Sequence, residues 1–231
     1  MIKLSSQYSY ETEHYFIKGG MLRVVSIMEQ QRRKTMQRSL NTGTSTRTRQ
    51  ITVIGMLSAI SIMLGLTGLG FIPIPPVKAT IMHIPVIIGA ILEGPVVGAS
   101  VGLIFGVFSI IQAITAPTPL SFIFMNPVVA VIPRVLIGIV SYYIYKGISR
   151  KNKNIGTAVA AGIGSLTNTV GVLGLIYLIY LEPYAKALGI SVSAAKKGIL
   201  VVGATNGIPE AIISIIITMA VATAVKKISK R

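Results

Sequence analysis

The chain has 231 residues, of which 52% are hydrophobic and only 12% charged, with a mean hydropathy of +0.74. An ordinary soluble domain is about 25% charged, so this chain is too apolar to be soluble. Its 22 Lys+Arg against six Asp+Glu give a net charge of +16. A basic balance can signal nucleic acid, but these charges fall in short blocks between long apolar runs, the pattern of a membrane protein with basic loops. The absence of Cys excludes disulfides, zinc–thiolate sites and thiol catalysis. With no Trp, an interfacial aromatic belt falls to tyrosines such as Tyr142, Tyr143, Tyr177, Tyr180 and Tyr184.

Residues 1–49 are polar and lack the apolar core of a signal peptide, so they read as a basic cytoplasmic extension with the composition of a disordered segment. Residues 50–231 form the membrane domain. Each apolar segment is measured against the roughly 20 residues a helical span needs. The first runs from Ile51 to Phe71 and ends in FIPIPPV, where Pro73, Pro75 and Pro76 forbid helix and imply an extended loop. The second, Ala79 to Leu92, is short and interrupted by Pro85. The third, Pro95 to Ile114, opens on Pro at the favoured first helical position and ends in the TAPTPLS loop. The fourth, Phe122 to Tyr145, carries Pro127 and Pro133; the fifth spans Ile155 to Leu181; the sixth runs from Gly198 to Val225 with Pro209 inside.

The expected fold is therefore all-α, with six transmembrane helices. Basic residues set the orientation. With both termini cytoplasmic, nine lie in the N-terminal region, four in KGISRKNKN and four in the C-terminal KKISKR, 17 of the 22. No internal duplication is evident, which argues against an inverted-repeat transporter. The G-x-x-x-x-G-K-[ST] phosphate loop is also missing, so the chain cannot hydrolyse ATP itself.

Polar groups in hydrocarbon are costly and usually kept for use, about 2.5–3.5 kcal/mol for a central Arg or Lys. His83 lies five residues beyond Lys78, Asn126 four beyond Phe122, Asn206 eight beyond Gly198, and Gln112 near the outer end of span three. Together with the Thr115–Ser121 loop they occupy one shallow outer layer, as the lining of a cavity open to the outside would. Singly, each amide could equally be interhelical glue, Lys78 could snorkel to the interface, and His83 could be a satisfied core histidine. Taken as a layer, they favour a ligand cavity, with Lys78 placed before Thr80 and His83 for an anion contact. A metal site is not expected.

Arg134 and Glu210 differ. Each lies twelve residues inside its span and directly follows a Pro, so equal depth and opposite charge suggest a buried structural ion pair. Gly94, Gly98, Gly102 and Gly106 recur every fourth residue and offer span three a flat face for internal packing. Gly55-x-x-x-Ala59 in span one offers a similar face, for internal packing or for an external partner helix.

A basic N-terminus, the small-x-x-x-small first span, the Pro-rich outer loop, Gly94-Pro95 opening span three and Pro133-Arg134 in span four resemble the substrate-binding S components of energy-coupling factor (ECF) vitamin transporters. The resemblance covers residues 47–231. Within that family, GFIPIPPVKATIMHIPVIIGAILEGP, TAPTPLSFIFMNP and IPRVLIG are most like the pantothenate-specific branch.

The resemblance implies a six-helix protein of the cell membrane that captures a vitamin from outside without cofactor or catalysis. It would then associate with a transmembrane T component and two ATPases. The family's Ala-x-x-x-Ala contact maps to Gly55 and Ala59, with Gly in the first place. Pantothenate has a carboxylate, two hydroxyls and an amide. Lys78 or His83 would meet the carboxylate, and Asn126, Asn206 and Thr118 the hydroxyls and amide.

Riboflavin, folate and biotin are the alternative ligands. Flat aromatic vitamins want stacking side chains, and the outer segments offer few beyond Phe122, Phe124 and Tyr184. A stand-alone proton-coupled carrier would usually show intramembrane carboxylates, and only Glu210 lies well inside a span. A structural bundle would not need a polar layer on one side.

Overall fold

The computed structural model describes residues 28–33, 46–74 and 77–228. Of the predicted N-terminal extension, residues 28–33 are helical and carry an exposed Arg33–Glu29 ion pair at 3.4 Å. Residues 1–27 and 34–45 of that extension lie outside the described residues. Gln50–Arg231 forms one compact unit.

Helix α1 (Thr46–Leu66) leads into a hairpin, β1 (Phe71–Ile74) and β2 (Val77–Thr80), paired antiparallel with Phe71 opposite Thr80 and Ile74 opposite Val77. The expected extended loop is thus a paired ribbon, and among the described residues the fold departs from all-α at this one place. A Pro is tolerated in a ribbon whose outer edge needs no donor. The second predicted span is corrected too. Residues 79–83 are strand and turn, and helix α2 (Ile84–Glu93) begins only at Ile84. Pro85 has no N–H and fits only the first helical turn, so helix cannot extend back through it. At 1.5 Å per residue, α2 is about 15 Å long, half of the roughly 30 Å hydrocarbon thickness.

Gly94 follows with φ 106°, a left-handed conformation that glycine adopts without strain. It lets α3 (Pro95–Thr115) turn back at once against α2. Then come α4 (Ser121–Phe124), α5 (Pro127–Ile148), α6 (Lys153–Ile179), α7 (Leu181–Ala187) and the long α8 (Val192–Ile228). Among the described residues five helices, α1, α3, α5, α6 and α8, are long and apolar enough to cross a membrane. Their outward faces are apolar as well: Met63 and Leu66 on α1, Ile111 on α3, Leu178 on α6 and Leu200 on α8 are all exposed. Such faces suit a lipid solvent, and the chain is a multi-pass membrane protein.

Inside, α3 packs on α5, α5 on α6 and α6 on α8. The glycine ladder makes the first of these seams. A Cβ at Gly102 would fall on the carbonyl oxygen of Arg134, one at Gly106 would lie 2.8 Å from that of Ala130, and one at Gly138 would strike the Gly98 backbone. One buried cluster gathers around Ile87, Val97, Val101 and Ile137. A second joins Ile123 and Val129 to Ile176 and Ile199. The seam and the clusters fix the helix ends that frame a mainly apolar cavity with polar groups set into its wall.

Candidate functional site

A cavity of about 520 Å³ opens between α3, α5, α6 and α8, closed on one side by the end of β2 and the following turn. Ligand pockets commonly measure about 300–1,000 Å³. Helical spacing puts its lining in register: Phe105, Ser109 and Gln112 form one stripe of α3, and Val202, Asn206 and Glu210 one stripe of α8. Of the predicted site residues, Thr80, His83, Gln112, Thr118 and Asn206 line it, and so do Arg134 and Glu210. The Lys78 side chain lies outside what the structure describes.

Glu210 is 4% exposed and fully engaged. Its Oε1 accepts from the Thr80 backbone N–H at 2.8 Å and from the Thr80 hydroxyl, and its Oε2 accepts from the Thr169 hydroxyl at 3.2 Å. One carboxylate therefore ties the hairpin end to α6 and α8, satisfying irregular backbone that hydrocarbon could not. His83, 1% exposed, is held similarly: its Nε2 lies 3.0 Å from the Ser165 hydroxyl and 2.9 Å from that of Ser214.

Arg134 is 7% exposed and placed differently. Pro133 has no N–H, so the carbonyl of Val129, four residues back, loses its helical donor. The Arg134 Nη1 supplies one instead, at 2.9 Å. The guanidinium carbon sits 5.5 Å from the ring centroids of both Phe105 and Phe124, in cation–π range. No carboxylate lies at ion-pair distance from it among the described residues. The expected Arg134–Glu210 pair is thus not formed. Threonines take up the carboxylate, a carbonyl and two rings take up the guanidinium, and its Nε is buried without a hydrogen-bond partner.

Asn126 also departs from expectation, lying outside the cavity lining. Its Oδ1 caps α5 by accepting from the Val128 N–H at 2.9 Å, and its Nδ2 donates to the Tyr180 hydroxyl at 3.0 Å. An Asn directly before Pro127 is a standard helix start, so the signal was present in the sequence. Gln112 is partly committed, its Nε2 donating to the Gly65 carbonyl at 3.2 Å. Thr118 pairs with Ser121, hydroxyl to hydroxyl at 3.0 Å. Asn206 accepts a long contact of 3.5 Å from the Thr205 hydroxyl.

Sequence reasoning missed Asn168 and Thr169, which line the cavity from α6, and Phe105 on α3; Phe124 entered only as one of the few stacking side chains of the outer segments. Asn168 was detectable: it sits mid-span in the polar run Ser165, Thr167, Asn168, Thr169. Away from the cavity, Gly55 and Ala59 are exposed on α1, and a Cβ built at Gly55 would meet nothing within 4 Å.

Residues 49–222 match the family model described as "ECF transporter, substrate-specific component". The pantothenic acid transporter PanT of Lactococcus lactis subsp. cremoris is 37% identical over 166 residues, 66% of this chain and 80% of its own. The pantothenate transporter PanT of Leuconostoc mesenteroides subsp. mesenteroides is 31% identical over 172 residues, 71% of this chain and 84% of its own.

Proposed function

The chain belongs to the substrate-specific components of ECF transporters, and on that premise we propose that it captures pantothenate in the Arg134 cavity for import driven by partner ATPases. One observation carries the assignment: a buried cation lines a cavity of ligand size with no carboxylate among the described residues paired to it. A buried charge left unpaired is costly, and a ligand carboxylate would pair it. Pantothenate brings one carboxylate. Arg is the side chain best shaped to meet it.

In this reading the carboxylate sits at Arg134, against Phe105 and Phe124. The hydroxyls reach towards Gln112, Thr118 and Asn206. Thr80 and His83 shape the wall through their contacts to Glu210, Ser165 and Ser214, while Lys78 attracts the anion from the hairpin. The hairpin and α2 together make the sixth crossing, and both termini lie on the cytoplasmic side of the cell membrane. The open Gly55–Ala59 face of α1 receives the transmembrane T component, which carries two ATPase subunits. Two pantothenate transporters among the similar proteins support the choice of vitamin.

The test is thermal melting of the purified protein against a panel of water-soluble vitamins. A ligand at a thousand times its Kd stabilises by about 4 kcal/mol, so pantothenate should raise the Tm by several degrees while riboflavin, folate and biotin leave it unchanged. No shift at a large excess of pantothenate sinks the assignment. Uptake that proceeds without the ATPase partners would instead indicate a stand-alone carrier.

A further inference from the structure

Most polar side chains that line the cavity already have a partner within the protein. Thr80 and Thr169 hold Glu210, His83 holds two serine hydroxyls, and Gln112 holds a backbone carbonyl. Three lining residues keep a buried atom without a partner, His83 at Nδ1, Arg134 at Nε and Asn168 at Oδ1; of these only the Asn168 oxygen can do nothing but accept, and it accepts no hydrogen bond. Asn168 lies in the middle of α6, an apolar 27-residue helix. Burial of an amide oxygen without a donor is unfavourable. An Asn kept there without structural employment needs its donor from elsewhere.

Its neighbours give the donor an address. Gly171, three residues on, sits so near Pro133 that a Cβ there would lie 3.0 Å from the proline Cβ. Asn168 is therefore on the stretch of α6 that runs beside the Pro133–Arg134 stretch of α5, and both residues line the one cavity.

We propose that Asn168 is a specificity-determining residue whose Oδ1 accepts a hydrogen bond from the N–H of a secondary amide in the ligand, next to the carboxylate held by Arg134. This deepens the pantothenate reading and rests on it. In pantothenate the donor nearest the carboxylate along the chain is the amide N–H, two methylenes away. An acceptor beside the carboxylate-binding cation therefore reads the amide rather than the distal hydroxyls. A site built to hydrogen-bond a ligand N–H rejects an analogue lacking it far more strongly than a hydrophobic pocket rejects a size change.

The test compares pantothenate with its ester isostere, in which oxygen replaces the amide nitrogen, by titration calorimetry on the purified full chain. The wild type should bind the ester at least about tenfold more weakly, because the Asn168 oxygen is left without a donor. In Asn168→Ala and Asn168→Leu, pantothenate should weaken to the level of the ester and the ratio between the two should fall to near one. A residue that only supports the fold would weaken both ligands together and preserve the ratio. Equal binding of amide and ester by the wild type overturns the Asn168 assignment without any variant, while leaving the pantothenate reading intact. Failure of the wild type to bind pantothenate at all overturns the reading and this inference together.

Discussion

The two sides of the cavity handle buried charge in opposite ways. On the α8 side, Glu210 accepts three hydrogen bonds from Thr80 and Thr169 and has no need of a ligand. On the α5 side, Arg134 has one carbonyl acceptor, two aromatic rings and no counter-ion among the described residues. Both residues directly follow a proline within a helix and both line the cavity, so their local context does not separate them. Their partners do. A charge satisfied by its own chain holds the structure together, whereas one left short of partners is available to what the structure binds.

The largest test of this contrast is Arg134→Gln. Removing a charge that pairs with a buried ligand carboxylate should cost about 2–5 kcal/mol of binding, a loss of roughly thirtyfold or more. The empty protein should change little in Tm, because removal of an uncompensated buried charge offsets the loss of the donor to the Val129 carbonyl. Calorimetry and melting of the same sample read the two effects separately. An ion pair between Arg134 and Glu210 would predict that Arg134→Gln/Glu210→Gln recovers stability lost by either single variant. The observed partners predict simple addition, because the two side chains share no bond.

Glu210→Ala comes next and should act the other way round. It leaves the Thr80 N–H without its acceptor, a loss of about 1–3 kcal/mol of stability. Hydrogen exchange at Thr80 and Ile81 should accelerate as the hairpin end comes free. Variants on this side are expected to lower the Tm of the empty protein, and those on the Arg134 side to spare it. An Arg134 variant that melts early while still binding pantothenate would erase the distinction.

How far these roles could be read in advance depends on what fixes each one. Pro95 opening α3 and the four-residue glycine spacing are local signals, and the structure follows both. Of the polar residues placed at similar depth in different spans, all but Asn126 and the undescribed Lys78 side chain line one cavity, because depth along a helix follows from counting at 1.5 Å per residue. Azimuth does not. With about 100° between successive residues, the direction of Arg134 is decided by Phe105, Phe124 and the carbonyl that Pro133 sets free. The hairpin depends on Glu210, 130 residues beyond Thr80, and no local pattern announces that bond. Asn168 was hidden by the length and apolarity of its helix, although its polar neighbours were in plain view. At Asn126 the depth argument outweighed a nearer signal, the Asn–Pro start of a helix.

The smallest expected effect concerns that misplaced residue, and it sets the outer limit of the contrast. If Asn126 serves only the frame, Asn126→Ala should weaken the protein by about 1 kcal/mol through the lost cap. A further fraction should follow from the released Tyr180 hydroxyl, and Tyr180→Phe should reproduce that fraction alone. Neither variant touches a cavity-lining group, so the amide-to-ester ratio set by Asn168 and the carboxylate affinity set by Arg134 should both survive. Asn126 would join the ligand only if pantothenate drew the loop at α4 inward and exchanged the Tyr180 hydroxyl for one of its own. In that case Asn126→Ala would cut affinity well beyond its effect on Tm, while Tyr180→Phe would leave affinity unchanged or improve it. Measured together, the two variants separate a cap that holds the cavity open from a side chain that closes on the vitamin.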